Sequence, residues 1–275
     1  LGFAAYCYIN WRVSGNPFQF LIYQREHWNQ RTGLFFSTAA YQTDYFLRSL
    51  TSGGWRDALR SEELHWYLAL FAGSTLFVSL MILPQYGTFL NALRYGSFQV
   101  ATIMSTTGYA TADFNLWPQA VKALIVVLMF IGSCAGSTAG GIKVVRVGIL
   151  CKLGCREVRR TFQPRKVQVV RFEGKGVEEN RLTQVSAFFF VYVLLVLAGM
   201  FLVSLEGLYD LETNFTAVLT CISNVGPGLG HVGPVENFSG YGPFAKVVLS
   251  LLMLAGRLEL FPILVLFHPS AWRKG

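Results

Sequence analysis

One short Gly-bearing turn occurs twice in this chain, each time between a short amphipathic run and a long apolar one. The first copy is Ser105-Thr106-Thr107-Gly108-Tyr109-Ala110-Thr111 and the second is Asn224-Val225-Gly226-Pro227-Gly228-Leu229-Gly230. A hydrophobic run, a short helix, a Gly turn and a second hydrophobic run is the order in which membrane proteins present backbone carbonyls to an ion. A lone Gly turn carries little information; the second occurrence makes it a pattern. The predicted fold is all-α, polytopic and membrane-embedded, with two repeats of helix, re-entrant half-helix and helix around an ion path.

Composition agrees. Of the 275 residues 53% are hydrophobic and only 14% are charged, where a soluble domain carries about 25% charged residues. The net charge of +8 is informative only once located. Eleven Lys and Arg against four Glu between Lys143 and Arg181 hold +7 of it. By the positive-inside rule that segment is cytoplasmic, so the charge reports topology and not nucleic-acid binding. Five scattered Cys, with Cys151 and Cys155 four apart, lack the His or second Cys pair of a metal site.

Residues 1–51 differ from the rest. They open on Leu1 inside an apolar run, as a truncated or joined end would, and continue as a polar, aromatic stretch with a turn at Ser14-Gly15-Asn16-Pro17. Residues 52–150 form one predicted repeat. Trp55–Trp66 reads as a charged juxtamembrane helix with Ser52 as its cap, and Tyr67–Pro84 as a bilayer-length span. Asn91–Met104 is too short and polar to cross, which suits a half-helix. An apolar helix from Gln119 then breaks at Gly132-Ser133-Cys134-Ala135-Gly136-Ser137-Thr138-Ala139-Gly140-Gly141. Each Gly costs about 1 kcal/mol in a helix relative to Ala, so this stretch is expected to be an unwound intramembrane loop buried in protein or lining water. A small-residue packing face is the alternative. Residues 151–181 are the basic cytoplasmic loop, and 182–275 the second repeat. There Val185–Leu205 spans about 30 Å, Asn214–Ser223 is a half-helix capped by Thr213 or Asn214, and Gly242–Phe267 is the closing span. The basic tail from His268 is cytoplasmic by the same rule.

Backbone carbonyls ligate a dehydrated cation without fixed negative charge, so binding stays reversible. Gly108 and Gly226 are the candidates for the positive φ that such a strand needs. No ring of carboxylates stands nearby, which favours a weakly hydrated monovalent ion over a divalent one. Asp113 is a candidate mouth residue, and His231 reads as a loop histidine facing outside water. Arg257, within Leu249–Leu266, would cost about 2.5–3.5 kcal/mol at the centre of a membrane helix. Glu259, two residues on, does not share its helix face. Arg257 is therefore expected to face a watery interior below the filter, or to pair with another helix.

The stretches STTGYATADFNLWP (Ser105–Pro118), GSCAGSTAGGIKVVR (Gly132–Arg146), NVGPGLG (Asn224–Gly230) and AGRLELFPILVLF (Ala255–Phe267) together resemble the membrane subunit of the Trk/Ktr/HKT potassium transporter superfamily, most of all its bacterial TrkH branch. The resemblance covers about residues 52–275. It implies M1–P–M2 repeats of a potassium-channel-like pore, of which this chain holds the third and fourth. It implies that Thr106, Thr107, Gly108 and Tyr109, with Asn224, Val225, Gly226 and Pro227, form two of four filter strands for K⁺, the transported ion, with no metal site beyond it and no organic cofactor. Gly132, Gly136, Gly140 and Gly141 would belong to the family's intramembrane gating loop, and Arg257 would be its constriction arginine. It further implies a homodimer in the cytoplasmic (inner) membrane, a cytoplasmic nucleotide-binding regulatory ring (TrkA-like) docking on the basic loop, and no enzymatic activity. The first two repeats are absent from this chain, so the alternative expectation is a non-conducting truncated or fused fragment. Residues 1–50 resemble a loop of polytopic membrane mannosyltransferases, which makes a membrane glycosyltransferase remnant the other alternative.

Overall fold

The structure, a computed structural model, describes residues 60–135, 137, 139–163 and 168–257. The expectations for residues 1–51, for Ser52 and the start of the Trp55–Trp66 helix as far as residue 59, for Gly136, for Glu259 and the closing span beyond Arg257, and for the tail from His268 lie outside the described residues. Among the described residues the chain forms seven α-helices and one hairpin. These are α1 (Glu62–Tyr86), α2 (Phe89–Met104), α3 (Gln119–Phe130) and α4 (Val144–Phe162). The strands β1 (Arg171–Phe172) and β2 (Lys175–Gly176) follow, then α5 (Glu179–Ser204), α6 (Leu211–Ser223) and α7 (Pro243–Arg257). Long helix, short helix, turn and helix thus occur twice, as α1–α2–α3 and α5–α6–α7.

The long helices are inside-out by the standards of a water-soluble protein. The buried stripe of α1 is Ser74, Thr75, Val78, Ser79 and Ile82, while Leu76, Phe77 and Leu80 point outward. Small polar residues inside and leucines outside are what a helix wants when its solvent is lipid. The close approach shows at Gly96 of α2, where an added Cβ would lie 2.9 Å from Ser79 Oγ. On α5, Phe190, Leu194, Leu197 and Phe201 are exposed. With mean hydropathies of 1.9 and 2.6, α1 and α5 are long and apolar enough to cross a bilayer.

Two boundaries differ from expectation. The charged residues Glu62–Trp66 and the apolar run after them form one continuous helix that passes Pro84 and stops at Gly87 (φ 71°). No break separates juxtamembrane segment from span, because Glu62, Glu63 and Trp66 all have helix-compatible partners in α4, the loop or their own turn. Helix α6 begins at Leu211, with Asp210 at the cap position, so Thr213 and Asn214 lie inside its first turn. They fasten it all the same: the Thr213 hydroxyl donates to Asp210, and the Asn214 amide donates to Ser204 Oγ and the Tyr209 carbonyl (both 3.2 Å).

One apolar core joins the halves. Ile103 and Met104 of α2, Leu128 and Met129 of α3, and Leu219 and Ile222 of α6 are all buried in it. Phe130 reaches Tyr192 and Phe215 with ring centroids 6.1 and 6.3 Å away, within the range of favourable aromatic pairs. A smaller cluster of Ile149, Val170, Phe172 and Leu182 seats α4 and the hairpin at the starts of α1 and α5.

Candidate functional site

Each short helix ends in the same sequence of backbone turns. After α2, Thr106 (φ 54°) and Gly108 (φ 80°) are left-handed; after α6, Asn224 (φ 55°) and Gly226 (φ 111°) are. The intervening Thr107 and Val225 have ordinary negative φ. Alternating handedness turns successive peptide planes so that their carbonyls face one way, whereas an all-extended strand alternates them. The anchoring matches too. Thr107 N–H donates to the Thr102 carbonyl (2.9 Å) and Val225 N–H to the Thr220 carbonyl (3.0 Å). On the second strand the Thr220 hydroxyl also accepts from Gly226 N–H (2.9 Å) and donates to the Pro227 carbonyl (3.1 Å).

The two strands meet. A Cβ on Gly108 would come closer to the Val225 carbonyl oxygen than the 3.0 Å that real Cβ atoms keep, and within 3.3 Å of Pro227 Cδ. Thr106, Thr107, Asn224, Val225 and Gly226 border one cavity of about 580 Å³. Gly108 does not border it and lies against Val225. Tyr109 is exposed and, like Pro227, does not border it. Lys246 of α7 does border it, with its amine donating to the Ser239 carbonyl (2.8 Å). Asp113 caps the short turn Phe114–Leu116, accepting from Asn115 N–H (2.9 Å). His231 is exposed, and its ring lies 5.0 Å from that of Tyr209, tilted by 32°.

Sequence reasoning overlooked the tie between the two loops. Asn115 donates to the Gly230 carbonyl and accepts from Gly230 N–H, each at 3.0 Å. An asparagine amide satisfies a peptide group reciprocally in this way, and nothing in the local sequence distinguishes it from an ordinary turn asparagine.

The break after α3 is a closed loop. Its ends are pinched by a parallel bridge between Ile131 and Ile142, with Gly132 N–H donating to the Ile142 carbonyl (2.8 Å) and Ile142 N–H to the Phe130 carbonyl (3.0 Å). Gly132 lies against the Gly140 carbonyl, and Gly140 lies against the Ser223 carbonyl at the end of α6, where an added Cβ would be 2.7 Å from the carbonyl carbon. A Cβ on Gly141 (φ 72°) would stand 3.5 Å from Ser223 Oγ. The same Ser223 hydroxyl hydrogen-bonds Tyr192 (2.7 Å). Lys143, which the charge count assigns to the cytoplasmic surface, is only 9% exposed. Its amine donates to the Ser137 (2.7 Å) and Ala139 (2.6 Å) carbonyls inside the loop. The α1 carboxylate of Glu63 accepts from Ala135 N–H (2.6 Å).

Helix α7 passes the start of the second strand. The Asn224 side chain donates to the Met253 carbonyl (3.1 Å), and Gly256 abuts the Ile222 carbonyl. Arg257, the next residue, is exposed, one turn beyond Met253. Among the described residues no cluster of three or more His, Cys, Asp or Glu could hold a metal ion.

A family model described as TrkH, cation transport protein, matches residues 83–274. The chain belongs to the TrkH cation transport family. The Trk system potassium uptake protein TrkH of Escherichia coli strain K12 is 38% identical over 189 residues, which are 69% of this chain and 38% of that protein. The TrkH of Halomonas elongata is 36% identical over 236 residues, covering 83% of this chain and 48% of its own length. The crystal structure of the potassium transporter TrkH from Vibrio parahaemolyticus superposes with a TM-score of 0.74 at 33% identity, over 82% of this chain and 48% of that one. The chain therefore spans about half the length of these TrkH relatives or less. The match is to a transport family and not to an enzyme family, and the mostly helical fold is that of the TrkH structure.

Proposed function

We propose that this chain supplies two M1–P–M2 repeats and two selectivity-filter strands to a potassium-uptake pore in the cytoplasmic membrane. The observation that carries the reading is the matched backbone: left-handed residues at Thr106 and Gly108, and again at Asn224 and Gly226, in two strands that border one shared cavity through Thr106, Thr107, Asn224, Val225 and Gly226. Carbonyls of Thr106, Thr107, Gly108 and Tyr109, and of Asn224, Val225, Gly226 and Pro227, would replace the hydration shell of K⁺. The C-terminal ends of α2 and α6 add partial negative charge toward the ion. Two strands approach an ion from two sides; two more, from elsewhere in the protein or from another chain, complete the enclosure. The Gly132–Gly141 loop lies against the base of the second strand and acts as the gate, with Arg257 as a fixed positive barrier on the same path. K⁺ is the cargo, and no organic cofactor enters. The segment 151–181 faces the cytoplasm and offers a docking face to a nucleotide-binding regulatory ring, in a homodimeric assembly.

The test is rubidium-86 uptake in cells lacking their own potassium uptake systems. Potassium-competable uptake by this chain supports a pore assembled from its two strands. A chain present in the membrane without uptake refutes conduction by these two strands alone and leaves the non-conducting fragment.

A further inference from the structure

A cleft of about 600 Å³ opens between α4 and the start of β1, with Trp66, Lys152, Arg156, Arg159 and Arg171 in its wall. Its four cations are not equivalent. Lys152 is paired with Glu62 and also donates to the Arg171 carbonyl (2.8 Å). Arg156 is held by Glu179 (2.6 Å) and Glu157 (3.0 Å), and the Glu179 hydrogen bond raises its pKa further above an already high value. The guanidiniums of Arg159 and Arg171 are exposed and make no hydrogen bond or ion pair among the described residues. The site thus holds two cations locked in place by carboxylates and two that present open forks, a geometry matched to phosphate oxygens.

The surroundings are apolar in a way that a soluble anion does not require. On α4, Cys151, Cys155, Val158 and Phe162 recur at spacings of four, three and four, one continuous stripe beside the basic row Lys152–Arg156–Arg159. Phe162 is 81% and Val158 61% exposed. Trp66 lies one turn inside α1, whose outward face turns apolar from Leu68. An indole at that level is where membrane helices meet headgroups. Basic residues beside an apolar stripe mark a helix that lies in the interface.

We propose that this cleft binds the phosphate headgroup of an anionic phospholipid of the inner leaflet, with Arg159 and Arg171 as its ligands and the Cys151–Phe162 stripe along its acyl chains. The inference rests on the reading that α1 crosses the membrane and that α4 lies on the cytoplasmic side. Each arginine near an anionic leaflet contributes about a fivefold gain in affinity, so removing both lowers it on the order of 30-fold.

Cys151 and Cys155 line the cleft and report its occupancy. The chain is placed in nanodiscs of phosphatidylcholine, with or without phosphatidylglycerol, and N-ethylmaleimide labelling of the two thiols is followed by peptide mass spectrometry. Phosphatidylglycerol slows labelling; Arg159→Gln/Arg171→Gln restores the phosphatidylcholine rate, and Arg159→Lys/Arg171→Lys retains protection. Equal labelling in both lipids overturns the proposal, as does protection that survives the double Gln variant. Equal protection by inorganic phosphate in phosphatidylcholine discs assigns the cleft to a soluble anion. Equal protection by polyglutamate assigns it to an acidic protein surface. Labelling of Cys151 in sealed cells and inverted vesicles with an impermeant maleimide tests sidedness separately. Reaction from outside refutes the topology itself, whatever the lipid result.

Discussion

Gly108 and Gly226 hold matching places in their strands, yet their substitution by Ala has unequal consequences. Both residues need positive φ, at 80° and 111°, and an L-residue held there costs about 1–2 kcal/mol. For Gly226 that is nearly the whole effect, because the nearest atom to an added Cβ is Gly108 Cα at 3.9 Å. For Gly108 the new methyl runs into the Val225 carbonyl and stands 3.3 Å from Pro227 Cδ. The carbonyl must retreat until an ordinary contact near 3.4 Å is restored, and forcing a methyl into packed backbone costs about 1–3 kcal/mol more. The retreating oxygen belongs to the proposed filter, so the damage falls on ion discrimination as well as on stability. Thermal unfolding of the two variants in potassium and in sodium detergent buffer reads both effects. Gly108→Ala melts lowest and loses the extra stabilisation by potassium over sodium; Gly226→Ala melts between it and wild type and keeps part of that difference. Equal behaviour of the two variants, or a potassium preference intact in Gly108→Ala, refutes the argument that these strands bear on one another at the ion path.

Three further outcomes follow from the same geometry. Asn115→Ala removes both halves of the bond pair to Gly230, about 1–3 kcal/mol for the polar groups left behind, and lowers the unfolding midpoint; Asn115→Asp, which keeps only the acceptor, falls between. Lys143→Met removes a donor from the Ser137 and Ala139 carbonyls, so amide hydrogen exchange across residues 132–141 rises, while exchange in α5 stays at the wild-type rate. Arg257→Ala raises rubidium flux if the guanidinium is a barrier on the path; folded protein with flux unchanged removes it from that role.

The helices were legible because their hydrophobic period and length are local properties. The pattern placed the ends of α2 and α6 at Met104 and Ser223, where the structure has them, and placed the end of α3 within a residue. The positive φ of Gly108 and Gly226 was legible for the same reason: glycine before a break in an apolar pattern has few other uses. Thr106 and Asn224, left-handed without being glycine, carry no such mark, although asparagine tolerates that region better than most residues. What stayed hidden depends on partners far along the chain. Lys143 was counted as one more cytoplasmic charge, since sequence cannot show that loop carbonyls fold back over its amine. Asn115 and Gly230 are 115 positions apart. Tyr192 and Ser223 are 31 positions apart, and only packing makes them a pair.

The hidden contacts converge on the end of α6. Its last carbonyls have no intrahelical partner, and in a membrane interior such groups must be satisfied by protein or by water. Here Gly140 of the loop closes on the Ser223 carbonyl and Gly256 of α7 closes on that of Ile222, while the Ser223 hydroxyl is held by Tyr192 and Asn224 is tied to Met253. Three separate segments thus bear on the three residues, Ile222, Ser223 and Asn224, from which the second Gly-bearing strand departs. A loop movement that carries Gly140 away exposes the Ser223 carbonyl at the foot of that strand. On the proposed gating role, the displacement that opens the pore would also alter the field at the base of that strand. If the loop is the gate and the strand part of the filter, as proposed, gating and ion binding are coupled through backbone contact, with no titratable group required between them.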